Sequence, residues 1–491
     1  MRTKTYIAEK IGEQFREWHN EGVIIASGTD TGKTTFIIEK LIPYAELQQK
    51  NVLYLVNRKS LYAQIKQRIT EFGHVKLLTY QGLQSLIRKE ANITHYDYII
   101  ADECHYFLTD GLFNQYTDIA YNWLRSQTEN VVIYMSATGN NLFNGLLLSG
   151  IVHPNRYYSI PQTYENVESV YFYAKKQITD VIDYILANNP SEKILVFVNS
   201  MKRLKEMHSY YGDKAHYLCS KYNDEGKNLS WIEYDCVADC QYQKQILFCT
   251  KALDNGIDLK DASIKHVFSE IIDIDSAIQA IGRKRPINEN DSYKLYFQRY
   301  DNRAVTQFKR IEETDLLPVI KLMTDREAFF QEYRHDRDLL RKNKILYGEM
   351  SGGNALGTIH INHIVRQKYE YDVRIFGAML REGYENVLMK LLPPLKSKVK
   401  ILEVKRANSD KFLEYLTANE GKKMFKAEQE VLKQKFTDLL GLRDRKMGIG
   451  VLNGKLQDCK YPYEIKSFQE TKGENRKKRY WIIAPMGRGL C

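Results

Sequence analysis

The chain has 491 residues, is 43% hydrophobic and 27% charged, and carries a net charge of +11. That length holds roughly three domains of ordinary size, with enough apolar residues for real cores, so a soluble globular protein is expected. No run approaches the ~18–20 consecutive apolar residues that cross a bilayer, so no membrane partner is expected. Seven cysteines, an odd number, without a signal peptide predict a reducing cytoplasm rather than a disulfide framework. Cys236 and Cys240, with Cys219 and Cys249 nearby, match no paired zinc spacing.

Residues 1–20 read as a helix, with Phe15 and Trp18 at i, i+3 forming its apolar side. A short apolar strand, 22–26, then runs into Ser27, Gly28, Thr29, Asp30, Thr31, Gly32, Lys33, Thr34 and Thr35, with a helix beginning near Lys33. Strand, Gly/Thr-rich loop and helix N-terminus together cradle phosphate through backbone N–H groups. All nine residues are therefore expected at a nucleotide, Lys33 reaching the β/γ-phosphates and the Thr34 hydroxyl lying on Mg²⁺. The strict pattern G-x-x-x-x-G-K-[ST] places Gly where this chain has Ser27.

Strands at 51–57, 75–80, 96–101 and 130–135, with a helix at 59–71, predict a parallel sheet covered by helices on both faces. Active groups then collect at the carboxyl ends of the strands. There the apolar run Tyr98-Ile99-Ile100-Ala101 delivers Asp102 and Glu103. Successive side chains diverge, so Asp102 can hold the water shell of Mg²⁺ while Glu103 orients and deprotonates the attacking water. Ser136-Ala137-Thr138 ends the next strand in the same way. Residues 151–167 read as a linker, and a second alternating unit follows with strands at 168–173, 193–199, 214–219, 244–249, 264–269 and 292–298.

In their order these segments resemble the superfamily 2 helicases, the DEAD/DEAH-box group, in a DECH variant (Asp102-Glu103-Cys104-His105) of phage or plasmid type. The resemblance covers roughly residues 1–300. It implies two tandem RecA-like α/β domains with ATP and Mg²⁺ in the cleft between them. Asn57-Arg58-Lys59-Ser60 and Thr79-Tyr80-Gln81-Gly82 are similar to motifs Ia and Ib, so Arg58, Thr79 and Gln81 are implied to grip a nucleic-acid backbone. Thr250 through Asp258 resembles motif V, which implies nucleic-acid contact at Thr250 and nucleotide contact at Gly256 and Asp258. Gln279-Ala280-Ile281-Gly282-Arg283-Lys284-Arg285 resembles motif VI, implying catalytic roles for Gln279 and Arg283 beside Lys33, Asp102 and Glu103. The family's second arginine falls at Pro286 here, and Arg285, one residue early, is the candidate substitute.

Residues 301–420 read as a mainly helical accessory region, with helical stretches at 325–344 and 362–382 and a turn at Ser351-Gly352-Gly353. Residues 391–491 hold 23 Lys and Arg against 12 Asp and Glu, the whole of the +11 excess. Helices at 422–440 and 448–459, then strands at 461–468 and 478–483 around a basic turn, read as a winged-helix-like module. Arg476, Lys477, Lys478 and Arg479 are its candidate nucleic-acid contacts. The expected domains are thus 1–155, 156–300, 301–420 and 421–491. Three functions fit: an ATP-dependent helicase or translocase, with DNA favoured over RNA and replication proteins as further partners; a phage or plasmid replication initiator; or a nucleic-acid-binding adaptor with a degenerate, non-hydrolysing nucleotide pocket.

Overall fold

A computed structural model describes residues 5–28, 31–112, 114–220, 223–250, 258–336, 338–351, 355–402, 407–440, 442, 447–459 and 461–486. The chain forms two compact units, residues 1–175 with 191–401 and residues 176–190 with 402–491.

The first unit contains two six-stranded sheets, both wholly parallel. One is built from β1 (Gly22–Ser27), β2 (Val52–Val56), β3 (Val75–Thr79), β4 (Tyr98–Ala101), β5 (Val131–Ser136) and β6 (Val152–Ile160), in the order β3-β2-β4-β5-β1-β6. Every residue of β2, β4 and β5 is buried, which explains their near-continuous apolar sequence: helices cover both faces of a parallel sheet. The second sheet comprises β7 (Val167–Ala174), β8 (Lys193–Phe197), β9 (Ala215–Leu218), β12 (Ile246–Cys249), β13 (Ile264–Ser269) and β14 (Tyr293–Arg299), in the order β7-β14-β13-β8-β12-β9. A small antiparallel pair, β10 (Val237–Ala238) and β11 (Gln241–Tyr242), lies between β9 and β12 in the chain. These are tandem RecA-like sheets.

The linker expected at 151–167 is instead largely β6, an edge strand paired with β1 from Ile24↔Tyr157 to Ser27↔Ile160. Its His153-Pro154-Asn155 segment is loop-like in composition, but an edge strand tolerates Pro because half of its N–H groups face no neighbour. The helix expected over 1–20 is broken at Gly12 (φ +57°) into Ile7–Ile11 and the 3₁₀ turn Gln14–Glu17, while Phe15 and Trp18 are buried against Phe36.

The region 302–401 is not purely helical. Helix Asn302–Thr324 is followed by Arg326–Tyr333 and the short turn Leu339–Lys342, so the single helix expected over 325–344 is interrupted. The antiparallel hairpin β15 (Leu346–Ser351) and β16 (Ala355–Ile361) comes next, its turn lying outside the described residues. Asn362 then caps helix His363–Glu382, its side chain accepting from Val365 N–H at 3.1 Å.

In the second unit, helices Ile178–Asn188, Ala407–Ala418, Lys426–Leu440 and Ile449–Asp458 precede the hairpin β17 (Tyr463–Gln469) and β18 (Arg479–Pro485). Isolated bridges tie Glu420 to Ile483 and Met424 to Trp481. Phe412, Leu416, Leu432, Phe436, Leu452, Leu456, Ile465 and Ile483 form its core. The helix at 407–418 was not legible in the sequence. Among the described residues no helix is long and apolar enough to cross a membrane.

Candidate nucleotide site and its links across the two sheets

Strands β4, β5 and β1 are neighbours, so their carboxyl ends set the Asp102-Glu103 pair, Ser136-Thr138 and the loop after Ser27 side by side. Ser27 is the last residue of β1 and its backbone is not left-handed, so this position has no need of the pattern's glycine. Its buried hydroxyl accepts from Thr31 Oγ1 at 2.9 Å, and Thr31 also donates to the Gly28 carbonyl at 2.7 Å. The demand for glycine falls at Gly32 (φ +80°), which opens the helix beginning at Lys33. Thr29 and Asp30 lie outside the described residues. Lys33 is buried, and its Nζ donates to the carbonyls of Ser27 (2.5 Å) and Gly28 (2.9 Å). Burial lowers its pKa, against the opposing pull of Glu103 and Asp102.

Asp102 is 2% exposed. Its Oδ2 accepts from the Tyr54 hydroxyl at 2.8 Å and its Oδ1 from Glu103 N–H at 2.9 Å, while Tyr80 donates to its carbonyl at 2.8 Å. Burial, and then the charge of Glu103, push its carboxyl up. Tyr54 also hydrogen-bonds Thr34, so one buried phenol links the two groups expected at Mg²⁺. Glu103 has a left-handed backbone (φ +49°), uncommon for a residue other than glycine. Burial alone would raise its carboxyl; the hydrogen bond and charge of His105, with Lys33 and Arg283, outweigh that and hold it below the usual carboxylate range.

A relay of hydrogen bonds leaves this pair. His105 Nδ1 lies 3.1 Å from Glu103 Oε2 and 3.0 Å from Ser136 Oγ. Ser136 Oγ accepts from Thr138 N–H at 3.0 Å, and Thr138 Oγ1 accepts from Gln279 Nε2 at 2.7 Å. The last bond joins the first sheet to helix Ile274–Ile281 of the second. Past that helix, Asp258 Oδ1 lies 3.1 Å from Arg285 Nε and 3.8 Å from Arg283 Nη1. The charge of Arg283 reaches Glu103, and that of Arg285 reaches Lys33.

Residues 3–141 match the family model described as type III restriction enzyme, res subunit, and residues 176–285 match the helicase conserved C-terminal domain. The chain is a superfamily 2 helicase. It is an ATP-dependent enzyme of nucleic acid. S. cerevisiae Dbp5 bound to RNA and ADP BeF3 is 13% identical over 59% of this helicase and 83% of its own chain, with a TM-score of 0.42. Mss116p bound to ssRNA and AMP-PNP is 12% identical over 82% of this helicase and 92% of its own chain, with a TM-score of 0.44. No curated protein is significantly similar to the helicase in sequence.

The residues implied at nucleic acid are variously engaged. Arg58 Nη2 pairs with Asp110 Oδ1 at 2.8 Å, and Thr79 caps helix Tyr80–Arg88 by accepting from Gly82 N–H at 3.0 Å. Gln81 is exposed, and Thr250 follows β12 with its N–H donating to Leu218 O at 3.0 Å. Residues 251–257, Gly256 included, lie outside the described residues. Thr35 is exposed on the helix after the loop. Arg476, Lys477, Lys478 and Arg479 are all exposed at the β17–β18 turn of the second unit. Of the cysteines, Cys236 lies near His216 and Glu233. Glu233, however, is held by His216 Nδ1 and by Lys244 Nζ at 2.9 Å, and His216 Nε2 accepts from Lys244 N–H at 3.1 Å.

Sequence reasoning passed over Tyr54, Tyr80 and Lys368. The first offered a faint signal, a hydroxyl in the middle of the all-buried strand Val52–Val56, where it needs a polar partner.

Proposed function

We propose that this helicase hydrolyses ATP at the junction of its two sheets and converts the opening and closing of that junction into stepping along a nucleic-acid strand. The observation that carries the reading is convergence. Lys33, Asp102 and Glu103 from one sheet share an electrostatic environment with Arg283 and Arg285 from the other, and Gln279 bonds directly to Thr138. Lys33 grips the β/γ-phosphates, and the glycine-rich turn presents backbone N–H groups to them. Glu103, held ionised by His105, Lys33 and Arg283, orients the attacking water and takes its proton. Arg283 and Arg285 balance the charge that gathers on the transferring phosphoryl group.

Thr34 and Asp102 would hold Mg²⁺. Both are hard oxygen donors joined through Tyr54, and buried Asp102 with half-buried Glu103 beside it carry more negative charge than Lys33 alone offsets. A bound Mg²⁺ supplies neutralisation of the β- and γ-phosphate oxygens.

DNA is the proposed track, in replication, recombination or repair, because the family model matched at 3–141 is named for a restriction enzyme subunit. The second unit is proposed as a winged helix. Its order of helix, two isolated bridges from Glu420 and Met424 to the hairpin, two helices and the hairpin fits that plan, with the exposed residues Arg476 to Arg479 on the wing. Turnover measured with no nucleic acid, with oligo(dT) and with oligo(U) tests the reading. Stimulation by oligo(dT), abolished by Lys33→Ala, is expected. Undiminished hydrolysis in Lys33→Ala would remove the assigned site, and stimulation by oligo(U) alone would move the track to RNA.

A further inference from the structure

Two helices of the accessory region each have an end in both sheets' cores. Helix Asn302–Thr324 places Val305 in the core of the second sheet and Leu316, Val319 and Leu322 in that of the first. Helix His363–Glu382 runs the opposite way beside it, with Ile364, Val365 and Tyr369 in the first core and Phe376 and Met379 in the second. Lys368 therefore sits midway along a strut between the two domains, and it is only 4% exposed.

A buried ammonium needs charged partners. Lys368 Nζ has Asp372 Oδ2 of its own helix at 2.6 Å and Asp273 Oδ2 at 2.6 Å. Asp273 is the N-cap of helix Ile274–Ile281, its other oxygen accepting from Ser276 N–H at 2.8 Å. One carboxylate thus divides its oxygens between capping that helix and meeting the lysine. The same helix carries Gln279, bonded to Thr138, and the chain leaving it carries Arg283 and Arg285. Asp275 and Glu312 add two more carboxyls around the single lysine, and burial pushes both of them up. Lys368 stays charged despite burial because Asp273 and Asp372 face it.

We propose that Lys368 is a positioning residue for ATP hydrolysis: by fixing the Asp273 cap it sets where helix Ile274–Ile281 presents Gln279, Arg283 and Arg285 to the phosphate loop. The inference rests on the assignment of Arg283 in the proposed function.

The test is steady-state ATPase kinetics on the full chain with oligo(dT), alongside thermal melts and ATP binding. Asp273→Asn keeps a good N-cap residue but loses the ion pair. It is expected to lower kcat on the order of 10²-fold, the cost of a small misplacement of catalytic groups, with KM for ATP near wild type because Lys33 and Thr34 do not move. Asp372→Asn removes an equally close partner of the same ammonium that lies on the lysine's own helix and is not the cap of the catalytic one, so its kcat stays near wild type. Lys368→Met should match Asp273→Asn, and Lys368→Arg should recover part of the rate. Equal kcat losses in Asp273→Asn and Asp372→Asn, or a normal kcat in Asp273→Asn, overturn the inference. If Lys368→Met does not fold, the two aspartate variants still decide it. Arg283→Ala separates the layers: normal turnover there removes the underlying site assignment, whereas a dead Arg283→Ala beside a normal Asp273→Asn removes only the role of Lys368.

Discussion

Glu103→Gln isolates chemistry from binding. The substitution keeps the shape of a side chain whose Oε2 lies 3.1 Å from His105 Nδ1 and removes only its charge and basicity. Loss of a general base costs ~10²–10⁴-fold in kcat, or about 2.7–5.5 kcal/mol at about 1.36 kcal/mol per decade. The structure places the expected loss near the lower end. His105, Lys33 and Arg283 hold the Glu103 carboxyl well down, and a weak base contributes more by orienting water than by proton transfer, so ~10²-fold is expected. Glu103 is also the charge that, after burial, most raises the Asp102 carboxyl. Neutralising it makes Asp102 a better anion, so Mg²⁺·ATP should bind the variant at least as tightly as wild type. Steady-state turnover with oligo(dT), paired with equilibrium ATP binding in Mg²⁺, reads both quantities. A collapse of ATP affinity with kcat intact would make Glu103 a structural residue and refute the reasoning.

Arg283→Ala and Arg285→Ala should each cut turnover by ~10³-fold, since both flank Asp258 and both charges reach the phosphate-loop side; a near-normal Arg285→Ala enzyme would leave Arg283 to act alone. Neutralising Arg476, Lys477, Lys478 and Arg479 together should weaken DNA binding and make the log-log salt slope shallower by up to about 3–4, at about 0.7–0.9 for each phosphate that is no longer neutralised. An unchanged slope in filter-binding titrations would show the turn to be solvated surface. Burial raises the carboxyl of Asp118 to about 6, the Tyr347 hydroxyl at 2.9 Å pulling it back only in part. A raised acid stabilises the fold below its unfolded pKa, and that contribution is lost as pH climbs through about 6, a penalty on the order of 3 kcal/mol above it. Asp118→Asn should therefore flatten the stability profile between about pH 4 and 6 and gain stability at neutral pH in urea melts. A variant less stable than wild type at pH 7 would show that the charged carboxylate is favoured where it sits.

What the sequence determined by itself was local and periodic. Val52–Val56, Tyr98–Ala101 and Val131–Ser136 are apolar runs that can only be strands buried on both faces. The chemistry at their ends follows from the side of the sheet on which a parallel strand finishes. That the loop before Lys33, the Asp102-Glu103 pair and Ser136 all fall at strand ends was legible for that reason. Strand β6 was not, because an edge strand is half-solvated and its His153-Pro154-Asn155 carries a loop's composition. Nor was the hairpin β15–β16, whose residues lean on partners distant in sequence: Tyr347 on Asp118, and the Leu346 carbonyl on Gln115. The tertiary structure alone decided three further things. Tyr54 stands between Thr34 and Asp102; Arg285 takes a place beside Asp258; and Lys368, nearly a hundred positions from Asp273, shares its carboxylate. A sequence records which residue has a charge or a hydroxyl, but the partner that makes its burial tolerable is chosen by packing, and packing brings together residues that no local pattern connects.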